Sequence, residues 1–259
     1  MAIEGTYFFR PPLNQDRTPK VFTDNRYDKS LTVGTTQTTI NVDVDGDGTG
    51  TAQEFTHIFL KAKGTIPSAL AFSPTGGTAG GETVTLDADV LEIAGGTVRR
   101  SRTVKGFYNL LHEYSNSAVT AQQIGVSAVT GTIDIVQLLI LRAEVNIAQD
   151  GFSDIRWKQR LPGLEQESAR GRGSVSPPVA GNRDKHDLIL TAHKNTNDDI
   201  SRALDAFFSE YPEFVFATEP NRFPEQVFYA KNLGQTAEYE YVSQYKGRGR
   251  RAVFTISEL

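Results

Sequence analysis

Residues 187–217 have the sequence DLILTAHKNTNDDISRALDAFFSEYPEFVFA, and this stretch gives the clearest indication of the fold. It begins with a short apolar run typical of a β-strand, and the acidic residues that follow favour the start of a helix. Large apolar side chains then recur at helical spacing on one face: Ile200, Leu204, Phe207 and Phe208. Pro212 ends the pattern, because the residue before a proline is pushed out of helical geometry. The spacing predicts a helix over residues 197–210 that packs on a sheet.

The rest of the chain favours strands. Four follow the helix, separated by proline, asparagine and glycine breaks: Phe214–Phe216, Gln226–Tyr229, Ala237–Val242 and Arg251–Ile256. Ahead of the helix, threonine alternates with valine and isoleucine over Thr32–Val44, which is typical of a half-exposed strand. We therefore predict a mainly β protein, an antiparallel β-sandwich or split β-barrel with one packed α-helix (197–210), plus a β-rich N-terminal or inserted domain.

The domain organisation follows from the same pattern. We expect residues 1–30 to form an extended N-terminal arm, because its prolines disfavour a helix or an inner strand. Residues 31–131 are expected to form a β-rich companion or inserted domain, and residues 132–259 a β-barrel that carries the helix. The spacing also predicts one further short helix within residues 107–114. Its apolar face would hold Phe107, Leu110, Leu111 and Tyr114.

Composition narrows the class of function. The net charge of −4 argues against a general nucleic-acid binder, and the lack of cysteine excludes disulfides and thiolate metal sites. The longest apolar stretch, Ile133–Val145, is too short and too charged to span a bilayer, so we expect a soluble protein without a membrane partner. Neither a His-Glu-x-x-His nor a Gly-x-Ser-x-Gly pattern is present, and we predict that the protein is not an enzyme.

An acidic loop offers a candidate metal site. Residues 43–54, DVDGDGTGTAQE, match the twelve-position calcium loop, with acids at its first, third, fifth and last positions and glycine at its sixth. Gly50 stands where such loops carry an aliphatic residue, and the flanks have strand character. The alternative interpretation is therefore a glycine-rich hairpin tip. The sequence predicts either no cofactor or a structural Ca²⁺. Its candidate ligands are Asp43, Asp45, Asp47, Thr49 and Glu54.

The densest positive patch is a turn near the end of the chain, with the sequence KGRGRR over residues 246–251. Its candidate partner-binding residues are Lys246, Arg248, Arg250 and Arg251. Tyrosines stand nearby, as they do in proteins that stack nucleic-acid bases, but alternating tyrosines are also ordinary strand residues. In a chain of negative net charge we favour an acidic neighbouring subunit as the partner, with nucleic acid second.

The C-terminal half, residues 132–259, resembles the tail proteins of long-tailed bacteriophages, especially the distal tail protein and the related tail-tube proteins. The resemblance lies in the order of elements: an apolar strand, a helix that begins TNDDI and contains LDAFF, an FVF strand, and the PEQVFY segment at 224–229. The chain then finishes in the strand-like run AVFTISEL over residues 252–259.

The resemblance implies a structural virion protein that forms a homohexameric ring where the tail tube meets the baseplate. It implies tail-tube and baseplate hub proteins as partners, with receptor-binding proteins as further candidates, and nucleic acid only as DNA passing through the channel. The location would be the phage tail of the virion, assembled in the host cytoplasm. The alternative is a carbohydrate- or receptor-binding β module that holds a structural calcium at residues 43–54.

Overall fold

The structure is a computed structural model. It describes residues 5–14, 29–86, 91–94, 97–104, 106–114, 118–148, 152–160, 185–192, 198–218, 223–232, 238–241 and 250–258. These residues form one helix, α1 (Asp198–Glu210), and the following strands: β1 (Gly5–Phe9), β2 (Leu31–Val33), β3 (Thr38–Asn41), β4 (Gln53–Phe55), β5 (His57–Lys63), β6 (Ala69–Thr75), β7 (Glu82–Thr85), β8 (Leu91–Ala94), β9 (Thr97–Val104), β10 (Phe107–Glu113), β11 (Val119–Ala121), β12 (Gln123–Ala128), β13 (Ile133–Leu141), β14 (Ala143–Ala148), β15 (Phe152–Arg160), β16 (Lys185–Ala192), β17 (Glu213–Ala217), β18 (Val227–Asn232), β19 (Glu238–Tyr241) and β20 (Arg250–Glu258).

The prediction of a mainly β protein is confirmed, as are the helix and the strands around it. All the strand pairs are antiparallel, and the sheets they form in the described part of the chain are open rather than closed into a barrel. Sheet A has the order β14-β1-β17-β18-β20-β16-β15, with β19 beside β20. Sheet B has the order β2-β13-β5-β10-β9-β8, sheet C the order β3-β12-β6-β7, and β4 pairs with β11.

Strand alternation stacks these elements into layers. Successive side chains of a strand point to opposite faces, so Phe8 and Phe9 of β1 belong to different cores. Phe9 packs between sheets A and B with Phe59, Leu139 and Val215. Phe8 packs on the other face of sheet A. Sheet A therefore has sheet B on one side and the helix on the other.

The helix contributes aromatic rings to the outer face of sheet A. Leu204 and Phe207 are buried there, and the Phe8 ring lies 5.7 Å from the Phe207 ring and 5.8 Å from the Phe208 ring, between centroids. Phe216 of β17 is closer still, with its ring centroid 5.0 Å from that of Phe8. We call this set the helix-side cluster, and the predicted apolar face of the helix is confirmed at Leu204, Phe207 and Phe208.

Sheets B and C enclose the largest core. Its members come from both sheets, among them Ile58 and Leu60 of β5, Phe72 of β6 and Ile124 of β12. Sheet B is thus covered on both faces, by sheet A and by sheet C. In its central strand β5, every residue from His57 to Ala62 is buried.

The segment 1–30 differs from its prediction where it is described. Residues 5–9 form an inner strand, β1, paired on one side with β14 and on the other with β17. The expectation that this segment avoids an inner strand is therefore wrong for these five residues. The prolines at 11 and 12 follow the strand, so the strand itself keeps all its backbone N–H donors. Residues 15–28 of the predicted arm lie outside the described residues.

The topology also shows how sheet A relates to the rest. Because β1 pairs directly with β14, the strands between residues 29 and 141 are an insertion between two neighbouring strands of sheet A. A boundary near Gly131 would separate β13 from β5, its partner in sheet B. The connection between the sheets lies instead at Arg142, the single residue between β13 and β14.

The short helix predicted over residues 107–114 is a strand, β10. Its alternation places Leu111 against sheet A, whereas Tyr108, Leu110 and Tyr114 contribute to the core between sheets B and C. A strand buried on both faces carries apolar residues on both, so its period of two is hidden and the spacing mimics that of a helix.

Among the described residues, no helix has the length and apolar character needed to cross a membrane.

Candidate functional site

The acidic loop after β3 is organised around one buried carboxylate, that of Asp43. Its Oδ1 accepts a hydrogen bond from the Gly48 amide at 3.0 Å, and its Oδ2 accepts one from the Gly50 amide at 2.9 Å. Asn41 closes the same loop by donating to the Gly46 carbonyl at 2.9 Å. Gly46 and Gly48 have φ angles of 75° and 85°, in the left-handed region that favours glycine. The glycines of this sequence thus serve a tight turn around Asp43.

These contacts also set the ionisation of Asp43. Burial opposes the charged form and by itself raises the pKa of the carboxyl, but the Gly48 and Gly50 amides stabilise the carboxylate. The net result is a pKa of Asp43 below its usual value. The loop therefore contains a carboxylate that is charged at neutral pH and neutralised by backbone dipoles.

Two of the other predicted calcium ligands lie close to Asp43. Asp43 Oδ2 and Asp45 Oδ2 are both 2.8 Å from the position that a Cβ on Gly50 would take, and a side-chain hydrogen bond with Asp47 helps to lower the pKa of Asp43. Asp45 and Asp47 are exposed, and Asp47 Oδ1 accepts hydrogen bonds from the amide and hydroxyl of Thr49, at 2.8 and 2.9 Å. Glu54 lies on β4, where its carboxylate pairs with the guanidinium of Arg142. Within the described residues, no three His, Asp or Glu side chains are arranged to share a metal ion. The positive φ angles of Gly46 and Gly48 agree with a glycine-rich tip, and calcium binding stays a prediction.

The basic turn lies only partly within the described chain. Lys246 and Arg248 are outside the described residues. Arg250 and Arg251 begin β20, where their backbones pair with Tyr241 and Glu240 of β19. Pairing between β20 and β16 starts only at Val253, so the first residues of β20 extend past β16.

An ion-pair network that sequence reasoning missed joins the layers at the β14 edge of sheet A. Glu144 pairs with Arg10 and with Arg142, whose Nε lies 3.3 Å from Glu144 Oε1, and Arg142 also reaches Glu54. The Arg10 guanidinium lies 5.4 Å from the ring centroid of Tyr211, just beyond the helix. Arg10 is 132 to 201 residues from Arg142, Glu144 and Tyr211 in the sequence, and Glu54 is 88 residues from Arg142. No local spacing signals such contacts.

Two of the four histidines are buried in sheet B. His57 lies between sheets A and B, with its ring 5.4 Å from the Tyr7 ring and 5.1 Å from the Phe9 ring. Burial, and then the nearby His112, lower the pKa of His57 from its usual 6.5 to about 3. His112 faces sheet C, where its Nε2 lies 3.1 Å from Glu82 Oε2. The enclosed position of His57 makes it part of the core rather than a reactive group.

The outermost strands of sheet A are a further feature of the described chain. β15 pairs with β16 and with no other described strand, and β14 pairs only with β1 among the described strands. Their register shows a bulge in β14 opposite Phe8 and Phe9, and another near the start of β15. Edge strands present backbone N–H and C=O groups on one side, which can bind a further strand.

No protein-family model matches the sequence, and comparisons with curated proteins and with solved structures found no significant match.

Proposed function

We propose that the chain is a structural protein of a bacteriophage tail, which assembles as a homohexameric ring where the tail tube meets the baseplate. The proposal combines the resemblance of residues 132–259 to distal tail and tail-tube proteins with the architecture of sheet A. The six-fold number comes from the resemblance alone. The role is structural rather than catalytic.

The two different edges of sheet A carry the proposal. β15 supplies a nine-residue edge and β14 a six-residue edge, at opposite ends of the same sheet. Contact between the β15 edge of one copy and the β14 edge of the next is head-to-tail, and such contacts form a ring when the rotation between copies closes.

The hairpin of β19 and β20 gives a second contact point. The two strands pair with each other, and the basic run at 246–251 lies in the sequence between them and at the start of β20. In the proposal, Lys246, Arg248, Arg250 and Arg251 meet an acidic surface of a neighbouring subunit or of a tail-tube or baseplate hub protein. Receptor-binding proteins are further candidate partners. DNA is a partner only while it passes through the channel of the virion, which would be assembled in the host cytoplasm.

Negative-stain microscopy and a mass measurement on concentrated protein test the assembly. We expect rings with a central hole and six times the mass of one chain. A particle with the mass of one chain at every concentration would contradict the proposal.

Paired proline substitutions test the edge itself. Successive N–H groups of an edge strand alternate between the paired and the open side, so Arg156→Pro and Trp157→Pro each remove a donor on a different side. One variant loses a bond to β16 and should melt at a lower temperature. The other should keep the wild-type Tm and fail to form rings. If both variants keep the wild-type Tm and still form rings, β15 is not the contact.

The alternative is a carbohydrate- or receptor-binding module with a structural calcium at residues 43–54. A calcium titration followed by the Tm separates the two, because an ion that binds only the folded state raises the Tm. We expect no rise, since Asp43 is already neutralised by backbone amides and Glu54 is paired with Arg142.

A further inference from the structure

The acidic loop contains two Asp–Gly peptides, Asp45–Gly46 and Asp47–Gly48. Such a peptide can rearrange because the backbone nitrogen of the glycine attacks the side-chain carboxyl carbon of the aspartate. The new C–N bond closes a five-membered succinimide, and the carboxyl hydroxyl leaves with the amide proton as water. Water then reopens the ring at either carbonyl, which yields aspartate or isoaspartate. Glycine favours the attack because no side chain obstructs its nitrogen.

The fold holds the Asp47–Gly48 peptide in place from both sides. The attacking atom, the Gly48 nitrogen, donates its hydrogen to Asp43 Oδ1 at 3.0 Å, and Gly48 is buried. The Asp47 carboxylate accepts two hydrogen bonds from Thr49. Ring closure at this peptide requires these bonds to break first.

The Asp45–Gly46 peptide has no such restraint. Its aspartate is exposed and its glycine is half-buried. Among the described residues, the hydrogen bonds of this loop include none that the Gly46 nitrogen donates. The Gly46 carbonyl does accept a hydrogen bond, from Asn41 at 2.9 Å, but the carbonyl is not the atom that attacks.

We propose that Asp45–Gly46 is a site of spontaneous isomerisation to isoaspartate in the folded protein, and that Asp47–Gly48 is protected. The product carries one extra methylene in its main chain and a carboxylate on a shorter branch. It therefore alters the loop next to the buried Asp43 and leaves the chain's mass unchanged.

Incubation of the purified full-length protein in heavy-oxygen water near neutral pH tests this directly. Each cycle of ring closure and hydrolysis incorporates one heavy oxygen, so tandem mass spectrometry reports the site. We expect label at Asp45 to exceed label at Asp47 by about tenfold, as for a barrier difference of about 1.4 kcal/mol. A sample unfolded in urea is the control, and it should label both sites to a similar extent.

Two variants sharpen the result. Asp45→Glu should lose the label at its own position, because a six-membered ring closes far more slowly. Asp43→Ala releases the Gly48 nitrogen and should allow label at Asp47. Equal labelling of both sites in the folded wild type would overturn the proposal, and so would an absence of label in folded protein whose unfolded control labels normally.

Discussion

Acid should destabilise the protein through His57. In the folded chain its pKa is about 3, whereas in the unfolded chain it returns to its usual 6.5. A histidine whose pKa is lowered by folding makes its full contribution to stability when the pH is above its pKa in the unfolded chain. That stabilisation is lost as the pH falls from 6.5 toward 3, since only the unfolded chain takes up the proton.

The size of the effect follows from the two pKa values. At pH 5, protonation of His57 in the unfolded chain lowers the free energy of unfolding by about 2 kcal/mol. At pH 7 the same reduction is about 0.2 kcal/mol. The slope between the two pKa values approaches about 1.4 kcal/mol per pH unit, the value for one proton. Because a typical domain has only about 5–15 kcal/mol of stability, the loss is easily measured.

Urea unfolding at a series of pH values, on wild type and on His57→Leu, provides the measurement. The substitution lowers stability at every pH through lost packing. The informative quantity is therefore how the difference in free energy of unfolding between wild type and variant changes with pH. Wild type should lose about 2 kcal/mol more than the variant between pH 7 and pH 5. His57→Gln is the second variant if the leucine does not fold.

A difference that stays constant with pH would refute the reasoning. It would mean that the folded chain accepts the proton as readily as the unfolded chain. The register partner of His57 on β10 is Glu113, which is also buried. A carboxylate that moved against the protonated ring would produce that outcome.

Three further experiments test the packing and one ion pair. Phe8→Ala should cost about 3–5 kcal/mol in urea unfolding, because it empties the centre of the helix-side cluster, and a cost below 1 kcal/mol would mean that the cluster collapses to fill the space. Gly77→Ala should cost about 1–3 kcal/mol, since its Cβ would lie 2.0 Å from a backbone oxygen of the facing strand. Gly80→Ala is the control and should cost much less, because no atom lies within 4 Å of its new Cβ. A double-mutant cycle on Arg142 and Glu54 should give a coupling energy of about 0.2–1 kcal/mol, because both side chains are partly exposed. Added salt should reduce this coupling energy, and a value that does not change with salt would contradict the prediction.

Local patterns predicted the elements near residues 187–217 well. The helix has its apolar spacing and Pro212 at its end, and the strands after it have breaks on both sides, so each element is specified by its own residues. The acidic loop was also visible in the sequence, but not which role it takes. Its acids match a calcium loop and a glycine-rich tip equally well. The structure adds the hydrogen bonds of Asp43 with the Gly48 and Gly50 amides and the ion pair of Glu54 with Arg142.

The amino-acid pattern was enough to predict the class of the protein and the elements whose faces differ in polarity. Periodicity is a local signal, and it is clear when one face meets a core and the other meets water. Which strands lie in the middle of a sheet or between two layers depends on the tertiary structure. β10 has the spacing of a helix because sheet B is covered on both faces, and β1 is an inner strand because β14 returns beside it from 134 residues further along the chain. Such pairings depend on contacts between residues far apart in sequence, which no window of neighbouring residues contains.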